Sequence, residues 1–197
     1  ADVKNGTLAD SDFARRLREY AQLDFDAEIW GVAKARPSHR IYITDARGTC
    51  VPIVADILDV GAVTRLVEHV VERFRRVDVL VNCVGGSTSI ANSSTTVEQM
   101  TLDEWESVLA LNLRGTFLCT QAVIPHMKRQ GGGRIINLSS IVARGDNPRT
   151  NAAYTLAKAG ITAMTRKLAL ELGPFGITCN ATAPGVTVTE RIQERIL

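Results

Sequence analysis

The chain has 197 residues, 45% hydrophobic and 22% charged, the composition of a single water-soluble globular domain with a sizeable core. Its 23 basic and 21 acidic side chains leave a formal charge of +2, too small to mark a nucleic-acid or membrane surface, so neither partner is expected. No run of about 18 apolar residues occurs. The polar, acidic start is unlike a secretion signal. The four cysteines, Cys50, Cys83, Cys119 and Cys179, have neither disulfide-framework nor zinc spacing, which points to a reducing cytoplasm and no metal.

In chain order, residues 14–30 have helical character and are cut off by Arg36-Pro37. Residues 41–45 (IYITD) read as a strand, Ala46-Arg47-Gly48 as a turn and residues 51–55 as a second strand, a hairpin-like pattern. From residue 60 the rhythm is regular. Val60, Val63, Val67, Val70, Val71 and Phe74 mark the stripe of one helix. Residues 77–83 (VDVLVNC) are a buried strand, and Trp105, Val108, Leu109, Leu113, Phe117 and Val123 mark a second helix. Gly131-Gly132-Gly133 is a turn before the strand 134–138 (RIINL); it precedes a strand, so it is not a phosphate loop. A third helix spans 152–172 up to Gly173-Pro174, and the strand 176–183 closes at Pro184-Gly185. Alternating strands and helices predict an α/β fold, a doubly wound parallel sheet with ligands at the carboxyl ends of its strands.

Several polar residues fall at those ends. Tyr154 and Lys158 are four apart on a helix and share one face, where an ammonium lowers a phenol's pKa and makes it a usable acid/base. Ser140 follows the strand 134–138, 14 residues before Tyr154, and can polarise a carbonyl oxygen. Asn112 lies on a buried stripe and needs internal partners. Asn82-Cys83-Val84-Gly85-Gly86 and Pro184-Gly185 follow strands at positions where backbone can approach a ligand. Singly, each has a plainer reading: a surface pair, a helix-capping serine, a satisfied core asparagine.

Together, in this order, they resemble the short-chain dehydrogenase/reductase family over residues 51–190. Asn82-Cys83-Val84-Gly85 is similar to the family's Asn-Asn-Ala-Gly, with Cys83 and Val84 as replacements. Asn112, Ser140, Tyr154 and Lys158 resemble its catalytic tetrad, and Asp56 resembles the residue that contacts adenine. Pro184, Gly185 and Thr189 resemble the segment at the nicotinamide carboxamide. The resemblance implies a Rossmann-like sheet, NAD or NADP as cofactor, and hydride transfer to or from a small-molecule carbonyl or alcohol. Asp56, Asn82, Gly85, Lys158, Pro184, Gly185 and Thr189 would bind the cofactor. Tyr154 would exchange the proton, Lys158 tune it and hold the ribose, Ser140 orient the substrate oxygen, and Asn112 anchor a helix bend. The helices over 104–130 and 152–172, with Leu111, Leu118, Met164 and Leu168 facing outward, would pair copies into a dimer or tetramer.

The resemblance has a gap. Before Gly85 the glycines are Gly6, Gly31, Gly48 and Gly61, too dispersed for the family's glycine-rich phosphate turn. Residues 1–50 therefore read as an atypical segment, of which 10–50 are similar to part of a histidine-kinase sensor region, before a partial Rossmann-type domain over 51–197, truncated at both ends. Asp45 as a ribose ligand on the family's second strand conflicts with only 11 residues separating it from Asp56. Without a first strand, the strand 41–45 is the expected substitute partner for both 51–56 and 77–83. The alternative to an active oxidoreductase is a catalytically inactive relative.

Overall fold

β-Branched runs form the strands. The computed structural model describes residues 28–32, 39–44, 50–87, 90–145 and 147–185. Strands β1 (Glu28–Val32), β2 (His39–Thr44), β3 (Cys50–Ala55), β4 (Val79–Asn82), β5 (Gly133–Leu138) and β6 (Ile177–Thr182) make one sheet in the order β3-β2-β1-β4-β5-β6. The helices are α1 (Val60–Phe74), α2 (Leu102–Leu109), α3 (Gly115–Arg129) and α4 (Ala152–Leu172), with a π-helical turn, Ala110–Arg114, fusing α2 to α3.

β4 pairs in parallel with β1 and β5, and β5 in parallel with β6. β2 is antiparallel to both of its neighbours, so β1 and β3 run with the others and β2 alone is reversed. This confirms the hairpin of β2 and β3 and corrects two expectations. Residues 28–30 are strand rather than helix, while 14–27 lie outside the described residues. The neighbour of β4 is β1, through Glu28↔Val79 and Trp30↔Val81; β2 partners only β3 and β1. A run as short as EIWGV carries no period to distinguish strand from helix end, and β4 selects the strand by pairing with it.

Local chemistry sets the helix ends. The Asp59 carboxylate accepts from the Ala62 amide at 2.8 Å and caps α1, and Thr101 with Glu104 forms a capping box on α2. One face of the sheet, carrying Leu80, Ile135 and Cys179, meets Val63, Val67 and Val70 of α1, Val123 and Met127 of α3, and Leu172 of α4 in the main core. Val79, Val81, Ile136 and Leu138 cluster on the other face. Leu102–Arg129, continuous through the π turn, has the length and apolarity of a membrane span, but it buries Val108, Val123 and Met127 inside the protein.

The main core also holds a polar ladder. Asn82 and Asn137 are opposite each other on β4 and β5. Asn82 Nδ2 donates to Asn137 Oδ1 at 2.8 Å and to Thr120 Oγ1 of α3 at 2.9 Å. Asn137 Nδ2 donates to Thr165 Oγ1 of α4 at 2.9 Å. The ladder ties two helices to two central strands, and removing one member leaves buried polar groups unpaired. Asn137→Ala should therefore lower unfolding free energy by about 2–3 kcal/mol in urea titration. The Asn82→Ala/Asn137→Ala double variant should cost less than the sum of its single variants. Additive costs would show that the two amides are not coupled.

Candidate active site

The carboxyl ends of β4, β5 and β6 adjoin one another, and the chain leaves each of them through a polar turn. After β4 comes Gly85, at φ +149°, a conformation suited to glycine. A Cβ there would lie 2.4 Å from Asn112 Oδ1 and 3.3 Å from Lys158 Nζ, so side chains from two different helical segments close on this turn. Asn112, fully buried in the π turn, accepts from the Gly86 amide at 2.9 Å and donates to the Gly86 carbonyl at 3.0 Å and the Val108 carbonyl at 2.9 Å. Asn112, expected to anchor a helix bend, sits in a π turn, where the helix is locally widened by the extra residue per turn.

After β5 the two serines diverge. Ser139 is turned into α4, donating to the Lys158 carbonyl at 2.9 Å. Ser140 instead accepts from the Val142 amide at 3.3 Å, and its hydroxyl is near enough to the Tyr154 phenol to favour the ionised form. The turn after β6 lies alongside, since the Pro184 carbonyl accepts from the Ile141 amide at 3.1 Å and Gly185 approaches Ile141. Lys158 Nζ donates to the Leu138 carbonyl at 2.7 Å and stands 5.6 Å from the centre of the Tyr154 ring. That carbonyl fills one of the three N–H directions of a buried ammonium.

Burial dominates the electrostatics. It pushes the Tyr154 phenol above its ordinary value, opposed by the neighbouring Ser140 hydroxyl. The sequence expectation that Lys158 lowers the phenol is corrected: the net shift is upward, set by burial, and the opposing influence is Ser140. Burial likewise pushes the Lys158 ammonium down to about 8, with Cys83 nearby working in the opposite direction. Desolvation raises the Cys83 thiol, against the pull of Lys158. At pH 7 the site thus holds a neutral phenol, a neutral thiol and a cation held at a cost.

Asn112, Ser140, Tyr154, Lys158, Gly85, Pro184 and Gly185 lie together around the ends of β4, β5 and β6. Asn82 does not join them, because its carboxamide is in the core ladder and it acts on the site only by fixing the end of β4. Asp56 follows β3 on the same sheet edge, and its carboxylate accepts from the Leu58 amide at 2.9 Å. Thr189 and Asp45 lie outside the described residues. One residue escaped the sequence reading. Asn151 caps α4 by accepting from the Tyr154 amide at 2.8 Å, and its own Nδ2 donates to the Ser93 carbonyl at 3.0 Å. An asparagine three residues before Tyr154, at the start of a helix, was the available signal.

A nicotinamide ring and its ribose fit this donor set: a hydroxyl pair for a substrate oxygen and an ammonium with N–H groups to spare beside glycine backbone. The adenosine diphosphate does not find the same welcome. β1 is separated from the reversed β2 by only the six residues 33–38, far fewer than a parallel crossover needs.

A family model described as short chain dehydrogenase matches residues 20–196. The chain is 47% identical to the short-chain reductase protein NovJ of Streptomyces niveus, over 77% of this chain and 55% of that protein. It is 38% identical to a 3-oxoacyl-[acyl-carrier-protein] reductase of Synechocystis, over 73% and 56%. A solved NAD+-bound xylitol dehydrogenase superposes with a TM-score of 0.66 at 32% identity, over 73% of this chain and 54% of that one. The chain spans about half the length of the curated relatives it matches.

Because the folded pKa of Lys158 lies below its unfolded 10.5, folding disfavours the protonated form. The penalty is fully present below about 8 and is relieved as pH rises from there towards 10.5. Lys158→Met should accordingly raise stability at pH 7 by about 1–3 kcal/mol, with the gain shrinking above pH 8, in denaturant titrations across that range. Asn151→Ala should cost about 1–2 kcal/mol, and Asn151→Asp or Asn151→Ser should recover most of it.

Proposed function

The chain is a member of the short-chain dehydrogenase family, and on that premise we propose that its site transfers hydride between a nicotinamide cofactor, NAD or NADP, and a small carbonyl or alcohol substrate. The observation that carries the reading is the convergence of Tyr154 and Lys158 on one site, with the ammonium 5.6 Å from the centre of the phenol ring and anchored on the Leu138 carbonyl at the end of β5, next to Ser140. When bound, the nicotinamide supplies or removes the hydride. Two hydroxyls then converge on the substrate oxygen. Ser140 positions that oxygen by hydrogen bonding, and Tyr154, a neutral phenol over the working pH range, hands it the proton in reduction. Lys158 stabilises the phenolate left behind and offers its remaining N–H groups to the ribose hydroxyls. Asn112 acts by holding Gly85-Gly86 against the site.

The outer faces of α2, α3 and α4 support pairing with a second copy. Leu113, Phe117, Gly160 and Met164 line a groove there whose rim carries Asp103, Glu106 and Arg114, charges that can complement each other across a two-fold axis. Of the residues first assigned to this surface, Leu111 and Leu168 instead pack against the core. A cytoplasmic location accords with the three free thiols at Cys83, Cys119 and Cys179.

An inactive relative is the second reading, favoured by the β1–β2 connection. Fluorescence titration of the folded protein with NADH and NADPH separates the two: saturable quenching supports the oxidoreductase, and none up to millimolar concentrations supports the relic. Given turnover, Tyr154→Phe should lower kcat by about 10²–10⁴-fold while cofactor binding persists. In the wild type, kcat/KM for carbonyl reduction should fall as pH rises through about 8, where Lys158 loses its charge. Phe117→Glu should reduce the mass measured by light scattering to that of the 21.4 kDa chain.

A further inference from the structure

We infer that the site grips a nicotinamide ligand by its mononucleotide half alone, so that nicotinamide mononucleotide binds about as tightly as the full dinucleotide. The inference rests on the hydride-transfer reading of this same site. Its ground is the direction of one strand. In a dinucleotide-binding sheet the first strand feeds a glycine turn and a helix whose amino end meets the pyrophosphate. An acidic residue at the carboxyl end of the next strand then meets the adenosine ribose. Here β1 occupies the central place beside β4, but residues 33–38 (AKARPS) contain no glycine and are far short of the dozen or more that a parallel crossover needs.

The reversal of β2 removes the ribose contact as well. Thr44, its last residue, pairs with Glu28 at the amino end of β1, so the carboxyl end of β2 is at the sheet edge opposite the site. Among the described residues, the other helix starts facing the carboxyl edge offer little to a phosphate. The amino end of α1 is taken by Asp59, which caps Ala62, while Asp56 just ahead accepts from Leu58, and two carboxylates repel an anion. The amino end of α4 is capped by Asn151, and α3 begins inside a continuous helix. By contrast Gly85, Ser140, Tyr154, Lys158 and Pro184 are all gathered at the ends of β4, β5 and β6. The carboxyl edge is thus divided, with recognition confined to the half that would face the nicotinamide riboside.

The test titrates the full chain, shown to unfold cooperatively, with reduced nicotinamide mononucleotide and with NADH, following nicotinamide fluorescence. ADP-ribose then serves as competitor. The expected result is a pair of Kd values within about threefold of each other, with no displacement by millimolar ADP-ribose. An NADH affinity about 30-fold or more above that of the mononucleotide, or displacement by ADP-ribose, overturns the inference while leaving the hydride-transfer reading intact. Binding of neither reduced nucleotide overturns both.

Discussion

The carboxamide of Asn112 is the constraint on which the site depends. Three hydrogen bonds from one buried side chain join the π turn to the backbone that follows β4. The π turn widens the helix where Asn112 sits, and the side chain reaches back to the Val108 carbonyl of the preceding turn. The same side chain closes Gly85 so tightly that only a hydrogen fits in place of a Cβ. With that turn fixed, the Lys158 ammonium has a defined wall on one side and the Leu138 carbonyl on the other. The long helix from Leu102 to Arg129 is therefore both a core element and a clamp, and the π turn is where these two roles meet.

A second tension runs through the same few residues. Burying a lysine inside an α/β core opposes stability, and the depressed pKa of Lys158 records that cost. The surrounding fold offsets it with neutral hydrogen bonds. Ser139 holds the backbone of Lys158 through its carbonyl, and Thr162 shares the Ser139 hydroxyl at 2.8 Å. The ladder of Asn82 and Asn137 fixes the strand ends from beneath. Rigid neutral polar groups surround the two titratable ones, so Tyr154 and Lys158 are held in place by partners whose charge does not change with pH.

Much of this was legible in the residues. The apolar pattern from 60 to 182 located the α-helices and the strands β4, β5 and β6, the helices by their repeat and the strands as short apolar runs, with α2 and α3 read as one helix and the 3-10 turns not seen. Tyr154, Lys158, Ser140 and Asn112 were readable for a different reason, since their chemistry is uncommon at strand ends and on buried stripes. What was not legible depended on pairing. The strand at residues 28–32 is too short to carry a period, and its place beside β4 comes from hydrogen bonds to a partner about fifty residues away. That the Asn82 carboxamide enters the core ladder was not legible either, because it depends on partners on β5 and α3. The direction of the Tyr154 shift required knowing how deeply the ring is buried, which spacing to Lys158 cannot supply.

The reversed strand shows why local and global signals can disagree within one sheet. Hydrogen bonding alone permits β2 to fill the gap between β1 and β3 in either direction, and the order of strands survives. Function does not follow order. In an α/β sheet the ligand edge is defined by where strands end and helices begin, so a strand that enters from that edge adds to the core without contributing an exit loop to the site. The five strands that keep a common direction retain their exits, and three of them, β4, β5 and β6, carry the residues for proton and hydride chemistry. A hairpin can thus substitute for a crossover as a structural partner while leaving out the helix end that a dinucleotide phosphate requires.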